Sequence, residues 1–551
     1  MNNKITIILI FINLILSINT FSQTAPNKYW LQFKDKNNNP YSINNPSEFL
    51  SQRAIQRRIN QNIPVSQNDI PITPMYIDSL KKLGVKIINK SKWFNAVTIQ
   101  TTDLALLDSI NKLSFVNIIL RNYTKEIKIP KTEKNNSTNS YKGATNIYDY
   151  GAGLNQIEML NGQILHNYGY QGQGMLIAVL DAGFYKVDSL PAFDSIRANN
   201  NILATKDFVD RDNNVFDAAS HGMMVLSTIG GYVAGSLIGT APRAKFLLLR
   251  SEDSNSENII EEDNWVSAVE FADSAGADII SSSLGYTTFD DPLQSHTYSD
   301  MNGKTTRVSI AATIAARKGI IVVNSAGNSG GNSWHYIGAP ADADSILTVG
   351  AVDQNGDYIY FSSTGPTFDK RIKPDIVAKG YLTAVETVSG NVSTGNGTSF
   401  AAPVVAGLVA CLWQANPSST NMEIIDAIKR SANKYSHPDS LRGYGIPNFA
   451  YANSILHGIN YDDFSNENLL SIYPNPFSNN FNIRFYSVDS QDIKIEIFNL
   501  VGEKIFNNSF KCNAFSINDI NIVSSNNISQ GIYFLKISSN SKVYQQKLIK
   551  N

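Results

Sequence analysis

Unbroken apolar runs punctuate the middle of this chain. Met175 to Leu180, Phe246 to Leu249, Ile320 to Val323 and Ile346 to Val352 leave almost no polar face. A strand without a polar side belongs in a parallel sheet covered on both faces. Helical stretches lie among these runs, including an amphipathic Gln156 to Gly169 and a longer Asn264 to Ala275. Buried strands alternating with helices predict an α/β domain, a parallel sheet flanked by helices.

The pattern changes on either side of that block. Trp30 to Phe33 alternates as a strand. Helices are expected at Pro46 to Arg58, Tyr76 to Leu83 and Leu104 to Asn111, and strands at Val85 to Ile88, Trp93 to Ile99 and Val116 to Leu120. The β-α-β-β-α-β order predicts a small ferredoxin-like unit. Arg53, Arg57 and Arg58 fall on one polar helix face and read as solvated. Near the C-terminus, short alternating strands and a hairpin turn at Asn499 to Gly502 predict a small all-β sandwich. The expected division is 23–128, a polar linker at 129–150, 151–458, a second linker at 459–469, and 470–551.

Composition narrows the partners. A net charge of −1 over 551 residues argues against nucleic acid and against an anionic membrane surface. In residues 1–22, Lys4 precedes an apolar run from Ile5 to Ile18, and Thr20 and Ser22 place small residues before Gln23. This is the pattern of a secretory signal peptide. No later segment reads as long and apolar enough to span a bilayer, so no transmembrane segment is expected after signal removal. Cys411 and Cys512 are far apart, in different expected domains, and no disulfide is expected between them.

The chemistry gathers around Gly395 to Gly407. Glycines lead into Thr398 and Ser399, which read as helix caps, and Pro403 reads as a first-turn proline. A serine at a helix N-terminus sits beside free N–H groups and the positive end of the dipole, where an oxyanion would be stabilised. Such a serine needs a base and a group to orient that base. His221 opens an apolar helix-like run, and Asp181 ends the first buried strand. Asn328, after the strand ending near Ser325, offers a side-chain donor for an oxyanion.

The order Asp181, His221, Asn328, Ser399, with these flanking residues, resembles the subtilisin-like serine proteases, the subtilase family. The resemblance covers roughly residues 150–455. It implies a secreted serine endopeptidase with Asp181 as orienter, His221 as general base and Ser399 as nucleophile. Asn328 and the Ser399 amide would form the oxyanion hole. Ser283, Leu284 and Gly285 would line one wall of the substrate pocket, and Ser325, Ala326 and Gly327 the other. The N-terminal unit resembles the family's inhibitory propeptides, and 129–150 is where self-processing is expected. The Tyr286 to Thr306 segment is expected to form a rim or lid, and His296, His335 and His437 to lie at the surface.

There are departures from the family pattern. Ala182 stands where Ser or Thr is usual, Met223 replaces Thr, and Phe400 and Val404 replace Met and His. The chemistry requires no cofactor. Asp207, Asp210, Asp212 and Asp217 could hold a structural Ca2+, although the glycine and bidentate glutamate of a dedicated loop are absent, and a solvated acidic loop is the plainer reading. Tyr473-Pro474-Asn475-Pro476, Gly531-Ile532-Tyr533 and a lysine-bearing last strand resemble the C-terminal sorting domain of type IX secretion. Expected partners are therefore protein or peptide substrates and the type IX machinery. The expected location is extracellular or at the cell surface, reached through the periplasm. The alternative is a surface adhesin that uses a protease-like scaffold.

Overall fold

The computed structural model describes residues 23–25, 27–120, 146–457, 470–487, 490–513, 516–523, 529–539 and 543–551. The expected signal peptide, most of the first linker and all of the second lie outside the described residues.

The N-terminal domain contains β1 (Gln23–Ala25), β2 (Lys28–Phe33), α1 (Gln52–Asn60), α2 (Pro74–Lys82), β3 (Lys86–Ser91), β4 (Ala96–Gln100), α3 (Leu104–Asn111) and β5 (Val116–Leu120). Its antiparallel sheet runs β5-β2-β4-β3, the ferredoxin-like order, and β1 adds to β2. The expected Pro46–Arg58 helix is split into a 3-10 turn at Pro46–Glu48 and α1, because Ser51 caps a new helix by accepting from the Ala54 amide. Leu31, Phe33, Leu80, Val97, Ile99, Leu107 and Ile110 form the domain's own core.

The opposite sheet face is buried too, against the central domain. Trp30 is 4% exposed and lies under the Arg307 guanidinium. The expectation of a solvated arginine face is overturned here. Arg57 donates to Asp273 (2.6 Å), and Arg58 donates to both Asp69 (2.8 Å) and Asp273 (2.9 Å). Arg53 donates to the Gly276 carbonyl (2.9 Å) and pairs with Asp278. The face is polar because it meets an acidic helix, not because it meets water.

In the central domain come α4 (Leu154–Glu158), α5 (Gly162–Asn167), β6 (Leu176–Asp181), α6 (Asp194–Ala198), β7 (Ile202–Asp207) and α7 (His221–Gly230). They are followed by β8 (Tyr232–Val233), β9 (Leu237–Ile238), β10 (Lys245–Arg250), α8 (Ile260–Ala275), β11 (Ile279–Ser282), α9 (Arg307–Arg317), β12 (Ile321–Ser325) and β13 (Leu347–Val352). The last are β14 (Ile376–Lys379), β15 (Thr383–Glu386), β16 (Val392–Gly395), α10 (Thr398–Ala415), α11 (Asn421–Arg430) and α12 (Phe449–Leu456). The expected Gln156–Gly169 helix is two short helices, broken where Asn161 adopts φ +53°.

Seven strands form one parallel sheet in the order β14-β13-β12-β11-β6-β10-β7. β6 explains the apolar run. Ile177 and Val179 enter the core with α7 and α10, while Leu176, Ala178 and Leu180 enter the core with α8 and α9. The chain order reverses about β6, and such switch points are where open α/β sheets leave a crevice at the carboxyl ends of their strands. α10 is long and apolar enough to cross a membrane by length and composition, contrary to the sequence expectation, but 89% of it is buried as a core helix.

Among the described residues the C-terminal domain has seven strands: β17 (Leu470–Tyr473), β18 (Asn480–Ser487), β19 (Gln491–Phe498), β20 (Lys504–Cys512), β21 (Ser516–Val523), β22 (Gly531–Ser538) and β23 (Val543–Lys550). They pair as a three-stranded sheet, β17-β18-β21, and a four-stranded sheet, β20-β19-β22-β23. Phe481, Ile483, Ile493, Ile495, Leu535 and Ile537 lie in their shared core. Cys411 and Cys512 are both free and buried.

Candidate active site

Asp181 ends β6 with no exposed surface. Its Oδ1 accepts from the Ala182 amide (2.8 Å), so the backbone supplies a bond that a Ser or Thr side chain does not give here. His221 Nδ1 lies 2.8 Å from the same oxygen and 3.0 Å from Oδ2. An ionised carboxylate only accepts, so Nδ1 carries the proton and Nε2 presents its lone pair.

His221 is the first residue of α7, and Gly222 is what lets that helix start so close to β6. A Cβ on Gly222 would stand 2.4 Å from the Gly183 carbonyl oxygen and 2.7 Å from Asp181 Cβ. Met223, Phe400 and Val404 all pack into the core shared by α7 and α10, and the Phe400 ring is 5.8 Å from the His221 ring. Of these departures, Phe400 is the one whose ring lies against His221.

Ser399 is the second residue of α10 and is 8% exposed. The capping expectation changes. Gly397, at φ +149°, occupies the cap position, no side chain caps the helix, and Thr398 and Ser399 are both inside it. Pro403 is also deeper than expected, at the sixth helical position rather than in the first turn. In an α-helix the amide of residue 403 would bond the carbonyl of residue 399. Proline has no such amide. The Ser283 hydroxyl donates to the Ser399 carbonyl instead, at 2.9 Å. One proline thereby ties the helix bearing Ser399 to the predicted substrate wall.

Asn328 is fixed by Thr398. Its Oδ1 accepts from the Thr398 amide (2.9 Å) and hydroxyl (3.0 Å), and Thr398 Oγ1 accepts from the Gly327 amide (3.2 Å). With Oδ1 occupied, Nδ2 is the group available to donate to a ligand. A Cβ on Gly397 would lie 3.4 Å from that Nδ2.

The two predicted walls are not equally open. Gly285 is exposed, and Leu284 and Gly327 are partly so. Ser325 is 4% exposed and Ala326 is fully covered among Ile337 and Ala341, so these two belong to the wall's backing. The segment expected as a rim or lid, Tyr286–Thr306, is anchored by Tyr286, Phe289 and Met301 in the core beside α8 and α9, while Leu293 is 75% exposed. His296, expected at the surface, is part-buried and paired with Glu262. His335 and His437 are exposed. A further buried histidine, His166, bonds the Thr240 carbonyl and the Tyr150 hydroxyl, both at 2.8 Å, and burial lowers its pKa to about 4. In the acidic loop, Arg250 pairs with Asp207 (2.7 Å) and Asp210 (2.5 Å).

Sequence reasoning missed the Ser283–Ser399 bond and the Thr398–Asn328 clamp. A proline four residues after the serine was the available signal for the first. The second depends on a contact across 70 positions.

The chain resembles known proteins in three separate stretches. The profile of the subtilase family matches residues 172–445, that of a peptidase S8 propeptide domain of Bacteroidota matches 28–140, and that of a secretion system C-terminal sorting domain matches 471–551. Subtilisin E of Bacillus subtilis is 29% identical over 280 residues, 50% of this chain and 65% of that protein. The thermostable alkaline protease of Halalkalibacterium halodurans is 30% identical over 53% of this chain and 70% of its own length. Subtilisin BL of Lederbergia lenta is 30% identical over 51% of this chain and 92% of its own length. The matched region runs from just before the Asp181 strand to beyond the Ser399 helix, and on that footing the chain belongs to the subtilase family.

Proposed function

We propose that the chain is the precursor of an exported serine endopeptidase. Ser399 attacks a peptide carbonyl while His221 Nε2 takes its proton. Asp181 holds the imidazole in that tautomer and stabilises the imidazolium, and His221 then protonates the leaving amine. Asn328 Nδ2 and the Ser399 amide stabilise the oxyanion. Water hydrolyses the resulting acyl-enzyme by the same steps in reverse roles. The observation that carries this reading is the 2.8 Å contact between His221 Nδ1 and Asp181, at the sheet switch point, in a subtilase chain that keeps the serine and the asparagine.

The N-terminal domain acts as an inhibitory propeptide, cut by the enzyme itself within 129–150. Substrates are proteins or peptides that add as a strand beside Gly285. The C-terminal domain addresses the chain to the type IX secretion machinery, which passes it from the periplasm to the surface or medium. The test is hydrolysis of casein and of peptide anilides by the purified chain beside Ser399→Ala. Turnover by the parent alone supports the reading. Equal turnover by both overturns it.

A further inference from the structure

Most buried acids of the central domain have an evident counter-charge or a set of donors. Asp273 has Arg57, Arg58 and Lys92, Asp375 has Lys373 and Lys429, and Glu270 takes three hydrogen bonds from the N-terminal domain. One cluster differs. Glu252, just after β10, is 9% exposed, and Glu261, in the first turn of α8, is 1% exposed. Neither carboxylate oxygen of Glu261 meets a donor at regular hydrogen-bond geometry, and the polar groups that act on it are the Glu252 carboxyl, Glu257 and the Asp253 amide. The leading influences on the two carboxylates are each other, Glu257, Asp181, Asp253, Ser251 and Tyr286. Lys28 of the N-terminal domain feels Glu261 less than it feels Arg211, Asp253 or Lys86.

From this arrangement we infer that Glu252, Glu257 and Glu261 form a binding site for a divalent cation, Ca2+ by the chemistry of its donors. One carboxylate oxygen from each lies within 4.8 Å of those from the other two. Two oxygens bound to one Ca2+ at about 2.4 Å stand at most about 4.8 Å apart, so the spacing suits a shared ion. Three carboxylates can supply up to six hard oxygens, and no His or Cys belongs to the group, which favours Ca2+ over a transition metal. The orphaned Glu261 oxygens are the ones the ion would satisfy.

The site is distinct from the acidic loop at 207–217, two of whose carboxylates Arg250 already holds. It lies behind the candidate active site. The Ser251 amide donates to the Asp181 carbonyl (3.0 Å), and the Glu252 carboxylate accepts from the Tyr286 hydroxyl, one residue beyond Gly285. Glu257 and Asp290 are joined by two further bonds, of 2.8 and 3.0 Å. A bound cation would therefore cross-link the β10–α8 connection, α8 and the segment that follows the substrate wall.

The experiment uses the full chain carrying Ser399→Ala, so that its outcome is independent of catalysis. Tb3+ is titrated into metal-free protein with tyrosine excitation, since the Tyr286 hydroxyl touches the site, and thermal unfolding is followed with and without Ca2+. The expected result is saturable Tb3+ emission displaced by Ca2+, with a higher Tm in Ca2+. Glu261→Gln weakens Tb3+ binding by at least about tenfold, as loss of one ligand charge should, and Asp210→Asn leaves it unchanged. Glu257→Gln, at a partly exposed ligand, gives the same reading should Glu261→Gln fail to fold. Absence of both Tb3+ emission and a Ca2+ response in the parent overturns the inference, and so does parental Tb3+ binding by either glutamine variant. In those cases Glu252 and Glu261 are a proton-sharing acid pair.

Discussion

Glu270→Ala should loosen the N-terminal domain without touching the candidate catalytic groups. Glu270 Oε2 accepts the Lys92 amide at 2.7 Å, and Oε1 accepts the Trp93 amide at 3.1 Å and the Ser91 hydroxyl. All three donors belong to the N-terminal domain, so the contact exists only while the two domains are docked. Truncation leaves three donors without their acceptor, at about 1–3 kcal/mol each. Against this, docking no longer strips water from a carboxylate, a cost of several kcal/mol. The net loss is about 2–4 kcal/mol, or about 30- to 1000-fold in the dissociation constant. The assay is dilution of the processed complex, with activity regained as the N-terminal domain leaves. A midpoint within about threefold of the parent would refute the reasoning.

The same contact fixes a sign for pH. Burial raises Glu270 to about 7 and Asp263 to about 6, against ordinary values of 4.5 and 3.8 once α8 is uncovered. The docked form therefore binds protons more tightly than the separated form. This contribution to docking is fully present below about pH 4 and is lost as pH rises through 6 to 7. Asp273 acts oppositely. Burial alone would raise it, but Lys92, Arg57 and Arg58 hold it at about 2, so its contribution is present above 3.8 and fails only towards pH 2. The N-terminal domain should thus dissociate faster at pH 8 than at pH 5, and Glu270→Gln should flatten that difference.

Other outcomes follow from the candidate site. Ser283→Ala leaves the Ser399 carbonyl without its donor and should cost about 1–3 kcal/mol in stability, with a fall in kcat. Pro403→Ala restores an amide in the right place, so the double variant should unfold at a higher temperature than Ser283→Ala alone, read by thermal denaturation. Asn328→Ala should lower kcat by about 10²–10³ with little change in KM, the usual loss for one oxyanion donor. Gly397→Ala forces a side chain into φ +149° beside Asn328 Nδ2 and should lower kcat more than it lowers Tm, measured by peptide anilide turnover.

Much of the fold was legible because the parallel sheet has a plain signature. Leu176 to Leu180 is apolar throughout since both faces of the strand are covered, and α3 and β5 fall at the bounds expected from their patterns. The candidate site was legible as four separated motifs. What joins them was not. Arg58 meets Asp273 across 215 positions, and nothing local says whether a polar helix face meets water or another polar face. α8 carried the same ambiguity, since Asp263, Glu270 and Asp273 are charged yet at most 6% exposed. Pro403 was misplaced because a first-turn proline is the cheaper rule. Its actual position is tolerated because Ser283 supplies the missing donor.

The most direct test is labelling of the purified chain with a fluorophosphonate, wild type beside Ser399→Ala, followed by intact mass. The account predicts one label on wild type, at Ser399, together with loss of the N-terminal domain by cleavage within 129–150. Ser399→Ala should take no label and keep that domain. An unlabelled, uncut wild-type chain at every pH and Ca2+ concentration, or equal cleavage of both chains in purified form, would contradict it.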